Sequence, residues 1–217
     1  MKKVVIAGAS GLVGSHLLRL LNEQPEVTEI VLLVRTLIPG LSTKVKQIMI
    51  NFDKLSSYGR EITGDAVYCC LGTTRKKTPD LNTYYKIDHD YPVELAKLAS
   101  RNGINQYHLI SAMGANANSS IFYNRVKGET ERDIGAVNLP STLIYRPSLI
   151  TGNRLESRPF EKVAAAFMST INPFLWGPLE KYKSIEAETI AQAMVNQTFY
   201  NKLGIQIFPS NIIKRLA

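Results

Sequence analysis

At 217 residues, with 45% hydrophobic and 20% charged side chains, the chain has the make-up of a soluble globular protein with one substantial core. A net charge of +8 would suit nucleic acid, an anionic membrane surface or a phosphate-bearing ligand. The basic residues are scattered, with their densest patches at Met1-Lys2-Lys3, Arg75-Lys76-Lys77 and Lys214-Arg215; no aromatic-rich basic stripe marks a nucleic-acid groove, and no apolar run approaches a membrane span.

The run KVVIA (3–7) is continuously apolar and stops at Gly8, the pattern of a strand buried on both faces of a parallel sheet. Leu12, Val13, Leu17, Leu18, Leu20 and Leu21 then repeat with a helical period as far as Asn22. EIVLLVR (29–35), KQIMINF (46–52) and DAVYCCLG (65–72) predict three further strands. A helix is predicted over 80–102, with Pro92 near a helix start and Gly103 as its stop. QYHLISA (106–112) predicts a fifth strand, 121–135 a helix and STLIYRP (141–147) a sixth strand. Helices over 160–169 and 186–200 flank a Pro- and Gly-bearing loop at 172–178, and GIQIFPS adds a last strand.

Strands alternating with helices predict an α/β fold: a single doubly wound Rossmann-type parallel sheet with helices on both faces. One domain is expected over 1–217, with a small C-terminal substrate-side region at 150–180. Cys69 and Cys70 lie in an apolar run, where free cysteine behaves as a small buried hydrophobe. No Cys-x-x-Cys or Cys/His cluster suggests a metal, and a reducing, cytoplasmic compartment is expected. His16, His89 and His108 have no triad or metal spacing, and His108 on its apolar strand is expected to be structural.

GASGLVG follows the first strand and opens the first helix, a context that turns a weak glycine pattern into a specific one. Gly8 allows the tight turn, Gly11 lets the backbone approach a pyrophosphate, and Gly14 permits close packing of helix on strand. Ser10, Leu12 and Val13 complete this phosphate-binding turn, whose helix start favours negative charge. The spacing is G-x-x-G-x-x-G rather than G-x-G-x-x-G, and a turn needing glycine only for its geometry is the plainer alternative. NAD sites place a carboxylate about 20 residues after the loop, at the end of the second strand, for the ribose 2′-hydroxyl. Here the position is Val34-Arg35-Thr36, and Arg35 would hold a 2′-phosphate, so NADP(H) is expected in preference to NAD(H).

Ser111 ends the fifth strand, twelve residues before Tyr123, and Tyr123 stands four residues before Lys127 on the following helix. Both helical side chains leave the same side of the helix, over the crevice at the strand ends. A nearby ammonium would stabilise the phenolate of Tyr123 and lower its pKa, while Ser111 would orient a substrate carbonyl. Lys127 would also hydrogen-bond the nicotinamide ribose.

IAGASGLVG, VLLVR, NFDKL, CCLGTTRKK, LISAMGA, FYNRVKGE, YRPSLI, ESRP and KYKSIEAETIAQAM together resemble the short-chain dehydrogenase/reductase superfamily in its atypical, short form. The nearer likeness is to the Tat-interacting-protein oxidoreductase-like family, over residues 4 to about 194. The resemblance implies Ser111, Tyr123 and Lys127 as the catalytic trio, with Phe52 and Asp53 beside the adenine. It implies Leu71, Gly72 and Thr73 under the ribose and pyrophosphate, and Pro147, Ser148, Leu149 and Ile150 along the nicotinamide side. Ala112 departs from related sequences, which often carry a second serine there. Related folds also dimerise through paired helices, which makes a homodimer an expectation.

Only 90 residues follow Lys127, so the substrate side must be small, built around 154–159 and 172–178. Arg154 and Arg158 could meet an acidic substrate, and Phe174 and Trp176 could wall a pocket; surface charge and core packing are the plainer readings. Two functions from different classes fit the chain. One is an NADP(H)-dependent oxidoreductase of a small carbonyl or alcohol; the other is an NADP(H)-binding regulatory or redox-sensing module acting through a protein partner.

Overall fold

The central apolar runs, at 3–7, 29–34, 66–69, 106–110 and 141–146, become strands covered on both faces. The computed structural model describes residues 1–152, 177–200 and 202–217. Its elements begin with β1 (Lys2–Ala7), α1 (Leu12–Glu23), β2 (Val27–Val34), β3 (Val45–Met49), a 3-10 segment (Phe52–Glu61) and β4 (Ala66–Cys69). Then come α2 (Leu81–Tyr85), a π-turn (Lys86–Asp90), α3 (Tyr91–Arg101), β5 (Gln106–Ile110), α4 (Phe122–Gly135) and β6 (Ser141–Arg146). After β7 (Ile150–Thr151) the described chain resumes with a 3-10 turn (Gly177–Tyr182), β8 (Ile185–Glu186), α5 (Ala187–Thr198), β9 (Gly204–Pro209) and α6 (Ser210–Leu216).

Seven strands form one parallel sheet in the order β3-β2-β1-β4-β5-β6-β9. Within β1 the side chains alternate between two cores. Val4 and Ile6 pack with α1 and α5, while Val5 and Ala7 pack with α3. The chain runs outward from β1 to β3 and returns to β4, so the order reverses between β1 and β4. A ligand crevice opens at the carboxyl ends of strands at such a point. β7 and β8 form a separate two-stranded ladder pairing Ile150 with Ile185.

Three boundaries differ from the sequence reading. The third strand stops at Met49 instead of running to Phe52, because Asn51 caps the 3-10 segment by accepting from the Asp53 N–H at 3.0 Å. The fourth and fifth strands are shorter than predicted, ending at Cys69 and Ile110. The helix over 80–102 is three successive helical pieces, with Pro92 in the first turn of α3. Proline has no N–H for the carbonyl of Asp88 four residues back, and Thr130 Oγ1 on α4 donates to that carbonyl instead, at 2.9 Å. The π-turn is where this exchange of partners is accommodated.

His108 is fully buried with Nδ1 3.2 Å from the Tyr145 hydroxyl, and burial pushes its pKa down to about 3. It is a neutral core residue. The helix over 160–169 and the residues Arg154, Arg158, Phe174 and Trp176 lie outside the described residues. Among the described residues no helix is long and apolar enough to cross a membrane.

Candidate functional site

Backbone crowding explains the glycine turn. Gly8 has φ +90°, and a Cβ there would lie 2.6 Å from the carbonyl carbon of Cys70, so the ends of β1 and β4 abut. At Gly14 a Cβ would lie 2.1 Å from the Gly8 oxygen. Gly11 is the N-cap of α1; its N–H donates to Gly8 O at 3.0 Å and its carbonyl accepts from Ser15 N at 2.9 Å. No side chain among the described residues caps this helix start, and no acidic residue sits in its first turn. Ser10 and Gly11 are exposed at the mouth, Leu12 is half-buried, and Val13 is anchored in the core. The turn therefore offers a close-approach backbone and the positive end of a twelve-residue helix, which fits a pyrophosphate.

The pair that the resemblance places beside adenine opens the 3-10 segment. The Asp53 carboxylate accepts from the Tyr91 hydroxyl at 2.8 Å and from Lys86 Nζ at 3.3 Å, and these partners hold its pKa below the usual range. The Phe52 and Tyr91 rings stand 5.5 Å apart. Burial and Asp53 push Tyr91 up to about 12, while the exposed Arg35 acts electrostatically in the opposite direction. Lys86 and Tyr91 were not singled out from the sequence, because the π-turn shifts their facing away from a regular helical period.

The segment after β4 rests on a buried ion pair. Asp88 Oδ1 is 2.7 Å from Lys127 Nζ, and Asp88 Oδ2 accepts from the Thr73 N–H at 2.8 Å. Both Asp88 oxygens are thus engaged, and both partners of the pair are buried. A Cβ at Gly72 would stand 3.6 Å from Asp88 Oδ1 and 3.9 Å from Lys127 Nζ, so Gly72 lies over the pair beside half-buried Leu71. Burial pulls the pKa of Lys127 down, but Asp88 and Tyr123 more than reverse this, and the lysine stays protonated. Asp88 is the central residue that the sequence reading missed; a single acid inside a helix that also holds Asp90 carries no distinguishing pattern.

Tyr123 lies in the first turn of α4, with 42% of its surface exposed. Its pKa sits above the ordinary value of 10.0, because desolvation outweighs the pull of Lys127 and Asp88 opposes that pull. The expected lowering by Lys127 is present but overcome. Tightly packed backbone sets the position of α4: a Cβ at Gly128 would lie 2.1 Å from Ala117 N, and Asn116 N donates to Asn124 O at 3.0 Å.

Ser111 is at the strand end as read, but its hydroxyl donates to Glu131, one turn beyond Lys127 on α4. Arg146 Nε in turn reaches both Glu131 oxygens at 2.9 and 3.1 Å. Ser111, Glu131 and Arg146 therefore brace β5, α4 and β6 against one another. Ala112 adds no hydroxyl. Pro147 accepts from Met113 N at 2.9 Å, and Ser148 N donates to Ser210 Oγ at 2.7 Å. Ser148 Oγ donates to Lys183 O, Leu149 O accepts from Ile185 N at 3.0 Å, and Ile150 enters the β7–β8 ladder. The segment Pro147–Ile150 is thus tied to the loop after β5, to α6 and to β8. Among the described residues no group of three His, Cys, Asp or Glu is placed to hold a metal ion.

Comparison with known proteins agrees with this architecture. The profile of the NAD dependent epimerase/dehydratase family matches residues 4–196. The mitochondrial protein fmp52 of Aspergillus clavatus is 34% identical over 203 residues, covering 90% of this chain and 86% of that protein. Protein HTATIP2 of Rattus norvegicus is 33% identical over 199 residues, covering 90% and 80% respectively. Among solved structures, the UDP-N-acetylglucosamine 4-epimerase of Methanobrevibacter ruminantium superposes with a TM-score of 0.72 at 17% identity, over 96% of this chain and 76% of that one. The Bordetella bronchiseptica enzyme WbmH in complex with NAD+ gives 0.71 at 17% identity, over 99% and 78%.

One expectation is overturned. The fungal relatives are named mitochondrial, which points away from the cytoplasm. Free thiols and the lack of a membrane-length apolar run are compatible with more than one compartment, so they could not discriminate. The resemblance to the atypical short-chain dehydrogenases/reductases holds: over most of its length, this chain belongs to the NAD dependent epimerase/dehydratase family.

Proposed function

We propose that the protein is an NADP(H)-dependent oxidoreductase acting on a small carbonyl or alcohol. The observation that carries this reading is the buried Lys127–Asp88 pair beneath Gly72, with Tyr123 one turn away on the same helix. The glycine turn and the start of α1 would hold the pyrophosphate, Phe52 and Asp53 the adenine, and Arg35 the 2′-phosphate. Lys127 and the segments Leu71–Thr73 and Pro147–Ile150 would hold the nicotinamide ribose side. When bound, the nicotinamide supplies or accepts a hydride at C4. Tyr123, partly exposed and protonated near neutral pH, donates its hydroxyl proton to the substrate oxygen in the reductive direction. Ser111 serves as a positioning residue, since its hydroxyl is given to Glu131.

Calorimetric titration tests the cofactor. Arg35→Ala is expected to weaken NADPH binding about 10- to 100-fold and to leave NADH nearly unchanged, the size of a lost charge-assisted contact to phosphate. Equal affinity of the wild type for NADPH and NADH would sink this assignment. Turnover of aldehydes, ketones and quinones, followed by nicotinamide absorbance, tests the chemistry. Tyr123→Phe is expected to lower kcat by about 100-fold or more while NADPH affinity is retained.

A second reading is favoured by the commitment of Ser111 to Glu131 and by Ala112, which leave Tyr123 as the only hydroxyl of the expected trio free for substrate. In that reading NADP(H) tunes contact with a protein partner. NADPH binding with no turnover across the carbonyl panel would select it.

A further inference from the structure

The charge balance under the crevice bears on the redox state of the bound cofactor. Asp88 is nearly inaccessible, and each of its carboxylate oxygens has a partner, Lys127 Nζ at 2.7 Å and the Thr73 N–H at 2.8 Å. The other titratable groups acting on this pair are Tyr84, Tyr123 and Cys69. Tyr84 is buried and donates to Thr73 O at 3.4 Å; its pKa, like that of the Cys69 thiol, is raised by burial, so both stay neutral. The pair is therefore one buried cation and one buried anion, closely neutral together. A nicotinamide ring is positively charged when oxidised and neutral when reduced. A lysine placed alone beside it would disfavour the oxidised form by like-charge repulsion, strongly so where water is excluded.

We propose that Asp88 sets the redox preference of the bound nicotinamide, cancelling the Lys127 charge so that the lysine can serve the cofactor without repelling its oxidised form. The inference rests on the cofactor reading above, with Lys127 on the nicotinamide side. It goes further by assigning to Asp88 a task distinct from holding Lys127 in place. A purely structural Asp88 would move the affinities of both redox forms in the same direction. A charge-balancing Asp88 moves their ratio.

The test is calorimetric titration of the folded protein with NADP+ and with NADPH at one fixed ionic strength, read as the ratio of the two Kd values. Asp88→Asn keeps the shape and leaves Lys127 uncompensated; it is expected to raise Kd(NADP+)/Kd(NADPH) by about tenfold or more, as one unbalanced charge would in a site of intermediate dielectric constant. Lys127→Met leaves the Asp88 anion uncompensated and is expected to shift the ratio the opposite way. The double variant, with no buried charge, is expected to return within about threefold of the wild-type ratio. Opposite shifts establish the balance, and Lys127→Met and the double variant carry the test if Asp88→Asn does not fold. Ratios that stay constant, or that move the same way in both single variants, overturn the proposal. A wild type that binds neither nucleotide fails the cofactor reading itself, which distinguishes the two.

Discussion

Asp88→Ala is expected to lower the free energy of unfolding by about 3–5 kcal/mol, the cost of leaving a buried ammonium without its partner. Lys127 and Asp88 are both buried, and the substitution removes the carboxylate oxygen 2.7 Å from the ammonium. Thr73 N–H also loses its acceptor, and the segment over the pair loses its tie to the π-turn. The surface pair Lys86–Asp53, with both side chains more than half exposed, is the internal control, and removing it should change stability far less. Asp88 and Tyr123 raise Lys127 above its unfolded value of 10.5. The associated stabilisation is therefore complete below that pH and is lost only as pH rises through the higher folded value, well into alkali. Urea denaturation at neutral pH measures the effect directly. A loss below about 1 kcal/mol would mean that the lysine reaches water, and that the pair is not the buried element described here.

Gly14→Ala is expected to strain the cofactor turn itself. The added methyl would sit 2.1 Å from Gly8 O, 2.9 Å from Gly8 C and 3.0 Å from the Ala9 Cα. All three are backbone atoms, and Gly8 is itself held against Cys70, so no side-chain rotation relieves the clash. The helix must move off β1, with a loss of about 1–3 kcal/mol in stability from overpacking. On the proposed cofactor placement NADPH affinity should fall at least about tenfold, because the helix start proposed to face the pyrophosphate is displaced. At Gly11 the nearest atom to an added Cβ is Gly8 O at 3.2 Å, so Gly11→Ala should be much the milder in thermal unfolding. If Gly11→Ala destabilises the free protein as much as Gly14→Ala, crowding is not what requires glycine at position 14.

Much of this protein is legible residue by residue. The apolar runs around Val4–Ala7 and Ile30–Val34 must be strands buried on both faces, since nothing in them could face water. GASGLVG had to be a turn between a strand and a helix, and FYNRVKGE a helix bearing Tyr123 and Lys127 on one side. The parallel order of the sheet follows from alternation and handedness, and it brings the glycine turn, Leu71–Thr73 and Ser111 to the carboxyl ends of their strands.

What periodicity could not reach were the partners. Pro92 is visible in the sequence, but that Thr130 answers the carbonyl it leaves unbonded is a contact across 42 residues. Asp88 looks like one acid among several until the π-turn and α4 bring it under Lys127. Ser111 follows its strand as the apolar run predicts, yet the direction of its hydroxyl belongs to Glu131, twenty residues away and itself held by Arg146. Apolar period, glycine and helix spacing are local properties that each segment carries with it, and they determined the strands, the turn and the facing of Tyr123 and Lys127. Charge compensation and hydrogen-bond commitment depend on which side chains the packed core brings within about 3 Å of each other. Only the tertiary structure therefore decided that Asp88 balances the charge of Lys127, that Ser111 is a brace, and that Tyr123 keeps its proton.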